Sequence, residues 1–565
     1  MRFELRAALV ATSALAAIAC GEKTSVVQPE AVASMSVTPA YPTIVVTTQV
    51  QLTATVRDAS HRILTDRAVM WGSADTAVAT VSATGLVTGR APGPAQVTAT
   101  SETKSASATV TVIPIPVAAV TVAPADDTLV VGQTVLLTAM ATDSVGHVLT
   151  GRPVSWSSGS PAVAAVSAGG MALAVGTGFA LITVLVDGSP GLGRIWVPAA
   201  FAAVSPGPRH SCGVRTDGAA LCWGDNSTGQ LGKGSIGFGG AQPVVVQGSL
   251  TFSQLATGAD LTHSAGFTCG VTTGGRLYCW GANGEGRLGG GDAGAPVSRP
   301  REVSAAVTFT AVALGGGHAC AIATGGQVYC WGFNSEGQLG TGDSTDRWVP
   351  TPIAGGLSFT AIGASLVHTC GLVTGGAAYC WGANSSGELG NGTTTGSPVP
   401  VAVSGGLSFA TLSVSLSDFP GDHTCALTAA GAAYCWGNNY WGQIGDGAQV
   451  DRTAPTAVAG GRAWTAISAG GIHTCGLAAG GALYCWGLNA SGELALGTVD
   501  TDLHLTPVAA PGIASYQAIR SGSHHTCAIA AGSTRALFCW GQNEFGKLGN
   551  NIVGRSPTPV IVVGF

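Results

Sequence analysis

Charge is the scarcest property of this sequence. Asp, Glu, Lys and Arg together make up 9% of 565 residues and sum to a net charge of −5. No stripe of Lys and Arg occurs, so a nucleic-acid partner held through phosphate contacts is not expected. The acidic residues are scattered singly, and no pair of carboxylates stands out for general acid–base work. No G-x-S-x-G elbow and no H-E-x-x-H run is present; Gly289–Gly294 has the spacing of G-x-G-x-x-G, but no helix follows to receive a phosphate. No catalytic residue, metal site or cofactor is therefore expected. Long Leu/Glu/Lys amphipathic runs are also missing after the N-terminus, which argues against helical domains. Few charges with 46% apolar residues exclude a disordered chain. What fills the sequence instead is Val, Thr, Ala and 85 Gly: short strands and turns, an all-β protein.

The N-terminus reads as an export signal. Arg2 and Arg6 precede an apolar stretch from Ala7 to Ala19, about 20 Å as a helix, too short to span a bilayer but long enough for a signal-peptide core. It ends Ala17-Ile18-Ala19-Cys20-Gly21. Small residues before a Cys resemble the bacterial lipobox, although Ala17 stands where that motif prefers Leu. The resemblance implies residues 1–19 as a lipoprotein signal peptide, Cys20 as the lipidated new N-terminus and 20–32 as a polar tether. The protein is expected in the bacterial cell envelope, at the outer membrane or cell surface, touching the membrane through the lipid alone.

Two related modules follow, 33–113 and 117–198. Val69-Met70-Trp71-Gly72-Ser73 returns 85 residues later as Val154-Ser155-Trp156-Ser157-Ser158, and Val78-Ala79-Thr80-Val81 returns as Val163-Ala164-Ala165-Val166. Apolar residues alternate with polar ones between Gly turns, as in antiparallel strands. The Trp, Ala-Thr-Val and Gly-x-Ala signatures resemble bacterial Ig-like domains of group 2, which implies two β-sandwiches joined at Ile113-Pro114-Ile115-Pro116. Ala162–Val186 carries no charge over 25 residues, but Gly pairs fall where turns are needed, so strands are expected there, not a membrane span.

From residue 200 to 565 the chain repeats Cys-Trp-Gly seven times, with Trp223, Trp280, Trp331, Trp381, Trp436, Trp486 and Trp540 spaced by 57, 51, 50, 55, 50 and 54 residues. A period near 50 built from short strands marks a propeller or solenoid. The pattern H-x-C…C-W-G-x-N-x-x-G-x-L resembles repeats of the regulator of chromosome condensation type, implying a seven-bladed β-propeller. Departures are Phe267 for His in repeat two, Ile444 for Leu in repeat five, and Leu494-Ala495 in repeat six. In repeat four, Ser397–Val403 reads as the first strand, Phe409–Leu412 (opening the next unit) as the second, His368–Leu372 as the third and Ala378–Trp381 as the fourth. The first repeat begins at its second strand, Phe201–Val204. Its missing strand is expected from Pro557–Val563, so that the two chain ends share one blade.

Fourteen of the fifteen cysteines fall two per repeat. Even spacings of ten, and twelve in the seventh repeat, put both members of each hairpin pair on one face. Seven disulfides are expected: Cys212–Cys222, Cys269–Cys279, Cys320–Cys330, Cys370–Cys380, Cys425–Cys435, Cys475–Cys485 and Cys527–Cys539, as suits an oxidising compartment. Each Trp follows a Cys and so faces the opposite side of its blade. His210, His318, His368, His423, His473 and His525 precede the first Cys by two; they read as structural hydrogen-bonding groups, because Cys pairs that bond each other do not hold zinc.

Irregularity points to function. The step from the repeat's aromatic to the His position is nine residues in five repeats, but fifteen from Phe252 to Phe267 and fourteen from Phe409 to His423. Both insertions should leave the same end of the propeller. Asp260, Leu261 and His263 in one, and Asp418, Phe419 and Asp422 in the other, are the candidate binding-loop residues. The reading is a non-enzymatic, lipid-anchored surface protein whose Ig-like stalk presents a propeller for protein recognition or adhesion. The alternative is a cell-envelope carbohydrate-binding protein. An exported enzyme would betray itself by a perturbed acid or His pair in a central pocket.

Overall fold

The structure is a computed structural model that describes residues 30–260, 264–303, 306–416, 422–511 and 515–563. Its contacts divide the chain into two compact units: the first module together with 141–150, and the remainder from 120 to 140 and from 151 onward.

In the first module Met70–Ser73, Gly93–Ser101, Lys104–Ile113 and Thr43–Val45 form one four-stranded sheet, and Gln49–Gln51, Leu86–Gly89 and Ala79–Val81 a second. Alternation does the work expected of it. Along Gly93–Ser101 every second residue from Ala95 is buried, and Ile44, Leu52, Val87, Val97 and Val110 close the core. Gly85, at φ +84°, lies where a Cβ would come within 2.8 Å of the Trp71 ring, so the turn and the module's single Trp require each other.

The second module repeats the plan. Val154–Ser158, Gly178–Val186, Ser189–Val197 and Asp126–Thr128 make a four-stranded sheet, and Thr134–Leu136, Met171–Ala174 and Ala164–Val166 a three-stranded one. The uncharged stretch 162–186 thus holds three strands, Ala164–Val166, Met171–Ala174 and Gly178–Val186, joined by turns. Ala180, Ile182, Val184 and Val186 face inward, whereas Phe179, Leu181 and Leu185 face out. Among the described residues no helix is long and apolar enough to cross a membrane.

Residues 201–561 fold into seven four-stranded antiparallel sheets. In blade three the strands are Phe309–Leu314, His318–Ala323, Val328–Gly332 and Arg347–Pro352, from the innermost outward. Each innermost strand touches the next around the ring, and that of blade seven touches that of blade one. The second strand is buried on both faces, because a blade is covered by a neighbour on each side. The fourth strand forms the rim and carries the prolines, as in Ser397-Pro398-Val399-Pro400. Proline donates nothing to a ladder, so the exposed edge resists pairing with another chain.

Two expectations are corrected. The strand expected to open each unit, such as Ser397–Ala402, pairs instead with Ala378–Gly382 as the outer strand of the preceding blade. The ring consequently does not close by sharing a blade. Blade one is complete in Phe201–Pro206, His210–Arg215, Ala220–Gly224 and Gly240–Val245, while Ser556–Ile561 completes blade seven. The physical reason lies in the bulge that follows each Cys-Trp: the register between third and fourth strands shifts there, and the long loop beyond it folds back so that each unit supplies its own rim. Closure comes from packing. Phe201, Trp223 and Leu221 meet Ile529, Leu537 and Val562 in one apolar cluster, and Ala200 bridges Ala536. Phe201 N–H donates to the Arg535 carbonyl at 3.1 Å, and Arg535 Nε donates to the Phe201 carbonyl at 2.9 Å. Arg535, in the longer turn of the seventh hairpin, and Ala536 beside it therefore hold the point where the chain enters the ring.

Candidate functional site

The repeat motif builds the seams between blades. All seven hairpin cysteine pairs are bonded, with Cα atoms 4.0–4.1 Å apart, and each pair sits directly opposite in register, Cys527 with Cys539 included. The disulfide of one blade shares its apolar cluster with the indole of the next: Cys269 and Cys279 with Trp331, Cys370 and Cys380 with Trp436. Each indole N–H donates back across the seam to the carbonyl before the repeat's Leu or Ile, as Trp381 does to Gln338 at 2.9 Å and Trp223 to Lys547 at 2.8 Å. The repeated Asn fastens the long loop; Asn384 Oδ1 accepts Leu389 N–H at 2.8 Å while its amide donates to the Thr393 carbonyl at 3.0 Å.

The six histidines cross the same seams. His210 Nε2 lies 2.8 Å from Thr268 Oγ1, His318 3.0 Å from Thr369, and His423 2.7 Å from Thr474. His525 reaches Ser211 across the closing seam at 2.8 Å. Thr369 and Thr474 donate their hydroxyl hydrogen to the Gln338 and Gln443 carbonyls, so the imidazole donates from Nε2; Nδ1 of His318 and His423 is buried with no acceptor for a second proton, which keeps the ring neutral. Burial drives the same outcome, holding His210 at about 4 and His318, His423 and His473 at about 3. These residues are fasteners, not ligands. Where repeat two has Phe267 in place of His, the partner position in blade three is Ala319, buried against that seam; both halves of the polar link are replaced together.

The turns after the innermost strands emerge at one end of the ring. The insertion in blade two is shorter than its spacing suggests, because Thr257–Ala259 extend the strand and Ala259 pairs with Gly266. That extended hairpin reaches blade three through a bridge between Ala259 and Gly316. Gly316 N–H in turn donates to the Ser365 carbonyl of blade four at 3.0 Å. A Cβ on neighbouring Gly315 would stand 2.1 Å from that carbonyl, which explains the Gly run. From blade five, Asp422 Oδ2 accepts Leu366 N–H at 3.1 Å. Both insertions thus knit the loops of blades two to five into a continuous floor.

Of the candidate binding residues, Leu261, His263, Asp418 and Phe419 lie outside the described residues, as does Cys20. Asp260 Oδ1 accepts Ser264 N–H at 2.8 Å and Oδ2 accepts its hydroxyl at 2.9 Å. Asp422 is buried, with Oδ1 3.3 Å from Ser415 Oγ. Asp260 therefore orders its own loop, and Asp422 ties its loop to that of blade four. Among the described residues no cluster of His, Cys, Asp or Glu is arranged to hold a metal. Glu493, held above the usual carboxylate range by burial, has Oε1 3.8 Å from His524 Nδ1. That pair belongs to the seam between blades six and seven and does not line the channel. The channel itself, a cavity of about 540 Å³, is lined mainly by the innermost strands with apolar and hydroxyl side chains; among the described residues that line it, Arg520 is the charged one. Motif and spacing do not single out Arg520, although aligning the seven copies at the first Cys isolates it.

Residues 274–322, 325–372, 375–427, 430–477 and 480–529 match the family model described as the regulator of chromosome condensation (RCC1) repeat, and a second model of that repeat also matches 201–230. Residues 31–112 match the bacterial Ig-like domain (group 2). The chain belongs to the RCC1-repeat family of β-propeller proteins. It is similar to the ultraviolet-B receptor UVR8 of Arabidopsis thaliana, 32% identical over 375 residues that cover 64% of this chain and 70% of that one. Two solved structures share the fold: human WBSCR16, TM-score 0.52 at 20% identity over 61% of this chain and 94% of that one, and Prp20p of Saccharomyces cerevisiae, TM-score 0.51 at 20% identity over 65% and 88%.

Proposed function

We propose that this protein is an exported, lipid-anchored cell-surface protein in which two Ig-like modules carry an RCC1-type propeller that recognises another protein through its loop-bearing end. The observation that carries this reading is the loop floor of blades two to five, where two insertions depart from an otherwise regular ring and are tied to their neighbours. A rigid scaffold with irregular loops at one end is suited to recognition. A protein-interaction role fits an RCC1-repeat propeller joined to an Ig-like domain, and Prp20p, which shares the fold, has binding properties to Gsp1p and histones. Seven paired hairpin cysteines and the Cys20 leader support maturation outside a reducing cytosol. Replacing residues 260–265 and 415–422 by two-residue turns should lower partner capture on intact cells by about tenfold while leaving circular dichroism unchanged; full capture by the loop-deleted protein refutes the assignment of the face. Cys20→Ala should move the protein from the membrane fraction to the soluble one.

Binding to a glycan is favoured by a different feature. On the second module Phe179 and Trp196 stand with ring centroids 6.2 Å apart beside Asp126 and Arg194, an apolar face flanked by polar groups that suits a sugar ring. A glycan-array signal lost in Phe179→Ala, with the loop deletions silent, selects this reading over the first.

A further inference from the structure

Each innermost strand places one residue opposite the first Cys of its blade. Around the ring these are Ser205, Ala256, Ala313, Gly363, Ser413, Ser468 and Arg520. Six are among the smallest side chains available, and the seventh is the longest cation. The serines of this row bridge neighbouring blades. Their Oγ accepts the N–H of the next blade's innermost strand, Ser205 from Thr257 at 3.1 Å, Ser413 from Ala469 at 3.0 Å and Ser468 from Ser521 at 2.8 Å. At the closing seam the corresponding residue is Pro206, which has no N–H to give. The blade-seven position is thereby released from the ring's own bonding, and the side chain that occupies it reaches into the channel.

Arg520 makes one hydrogen bond, from Nη1 to the adjacent Ile519 carbonyl at 3.0 Å. No carboxylate among the described residues pairs with it, and the remaining donors of its fork are unused. Its side chain is exposed to the channel, yet the innermost strands of seven blades surround it and the partial desolvation there opposes its charge. Guanidinium does not shed its proton at accessible pH, so a lone cation there stays charged at a cost. The natural complement is a group that accepts two parallel N–H bonds. The six small residues leave space for it, and the hydroxyls of Ser205, Ser413, Ser468 and Ser521 supply a polar wall.

We propose that the propeller channel is a receptor for a small oxyanion, a carboxylate or a phosphate or sulfate ester, seated on the unpaired Arg520 fork in the cavity that the small ring residues leave open. This does not rest on protein recognition by the loops. The test is calorimetric titration of the full-length protein with sodium phosphate, sulfate, citrate and acetate at constant ionic strength. Saturable binding is expected, weakened about tenfold or more in Arg520→Gln. Preference for phosphate or sulfate points to an ester ligand, and preference for citrate or acetate to a carboxylate. Unchanged affinity in Arg520→Gln, or no saturable binding of any of the four salts to the wild type, overturns the proposal. Should Arg520→Gln not fold, phenylglyoxal labelling of wild-type Arg520, read by mass spectrometry, decides the matter. Protection by the anion supports the site, and equal labelling with and without it overturns it.

Discussion

Ala495 occupies a place that glycine holds elsewhere in the ring. In the corresponding turns Gly340, Gly390 and Gly445 have φ of +71°, +63° and +78°, and a Cβ there would lie 2.4–2.8 Å from the next blade's Trp Nε1. Ala495 adopts φ +59° with a real methyl group and is almost fully buried. Left-handed backbone costs a non-glycine residue about 1 kcal/mol, and crowding against the indole adds to it. Ala495→Gly should therefore stabilise the protein by about 1 kcal/mol, the reverse of the usual effect of glycine substitution, and urea unfolding will show it. The departure of repeat six from the motif is legible in the sequence. Its sign is not, because the sequence does not display the torsion.

At the scale of the element, the seam is where seven near-identical sheets become one body. His473 Nε2 lies 2.7 Å from Thr526 Oγ1, both buried. His473→Ala leaves a cavity and takes from the Thr526 hydroxyl its shortest hydrogen bond, leaving it Ser521 Oγ at 3.3 Å, and should cost about 3 kcal/mol. Adding Thr526→Val removes the weakened hydroxyl, so the double variant should lose about 1 kcal/mol less than the sum of the singles. Phe267 facing blade three's Ala319 shows the apolar version of this seam already in place. The strands themselves can be read from period-2 alternation, and cysteine parity places each pair on one face. The outer strand falls to the wrong blade in a reading by spacing because it alone is joined by a long loop, and distance along the chain does not say which way such a loop folds. The two insertions are visible as extra length, but not that Thr257–Ala259 prolong a strand, that Asp260 orders its own loop or that Asp422 reaches blade four.

For the whole molecule, the six buried histidines set the response to acid. Each is neutral in the fold, with its pKa pushed below the ordinary 6.5 by burial, to about 4 at His210 and about 3 at His318, His368, His423 and His473. The unfolded chain binds their protons first, so this stability is complete above 6.5 and is lost as pH falls toward the folded values. With six such groups the slope approaches about 8 kcal/mol per pH unit within that window. Buried Glu388 and Glu493, held above 4.5 by desolvation, act with the opposite sign: their contribution is complete below 4.5 and fades as pH rises through the folded values. They are outnumbered. Calorimetry should find the propeller transition falling steeply below pH 6 with the disulfides intact; a transition temperature that is flat between pH 7 and pH 5 contradicts this account.

Because every blade draws its four strands from one uninterrupted stretch of about fifty residues, no strand is borrowed across the ends. A duplication or loss of one such stretch in the gene leaves all remaining sheets whole, and only the wheel's circumference has to adjust. Lineages that carry this architecture are thus free to edit it one spoke at a time.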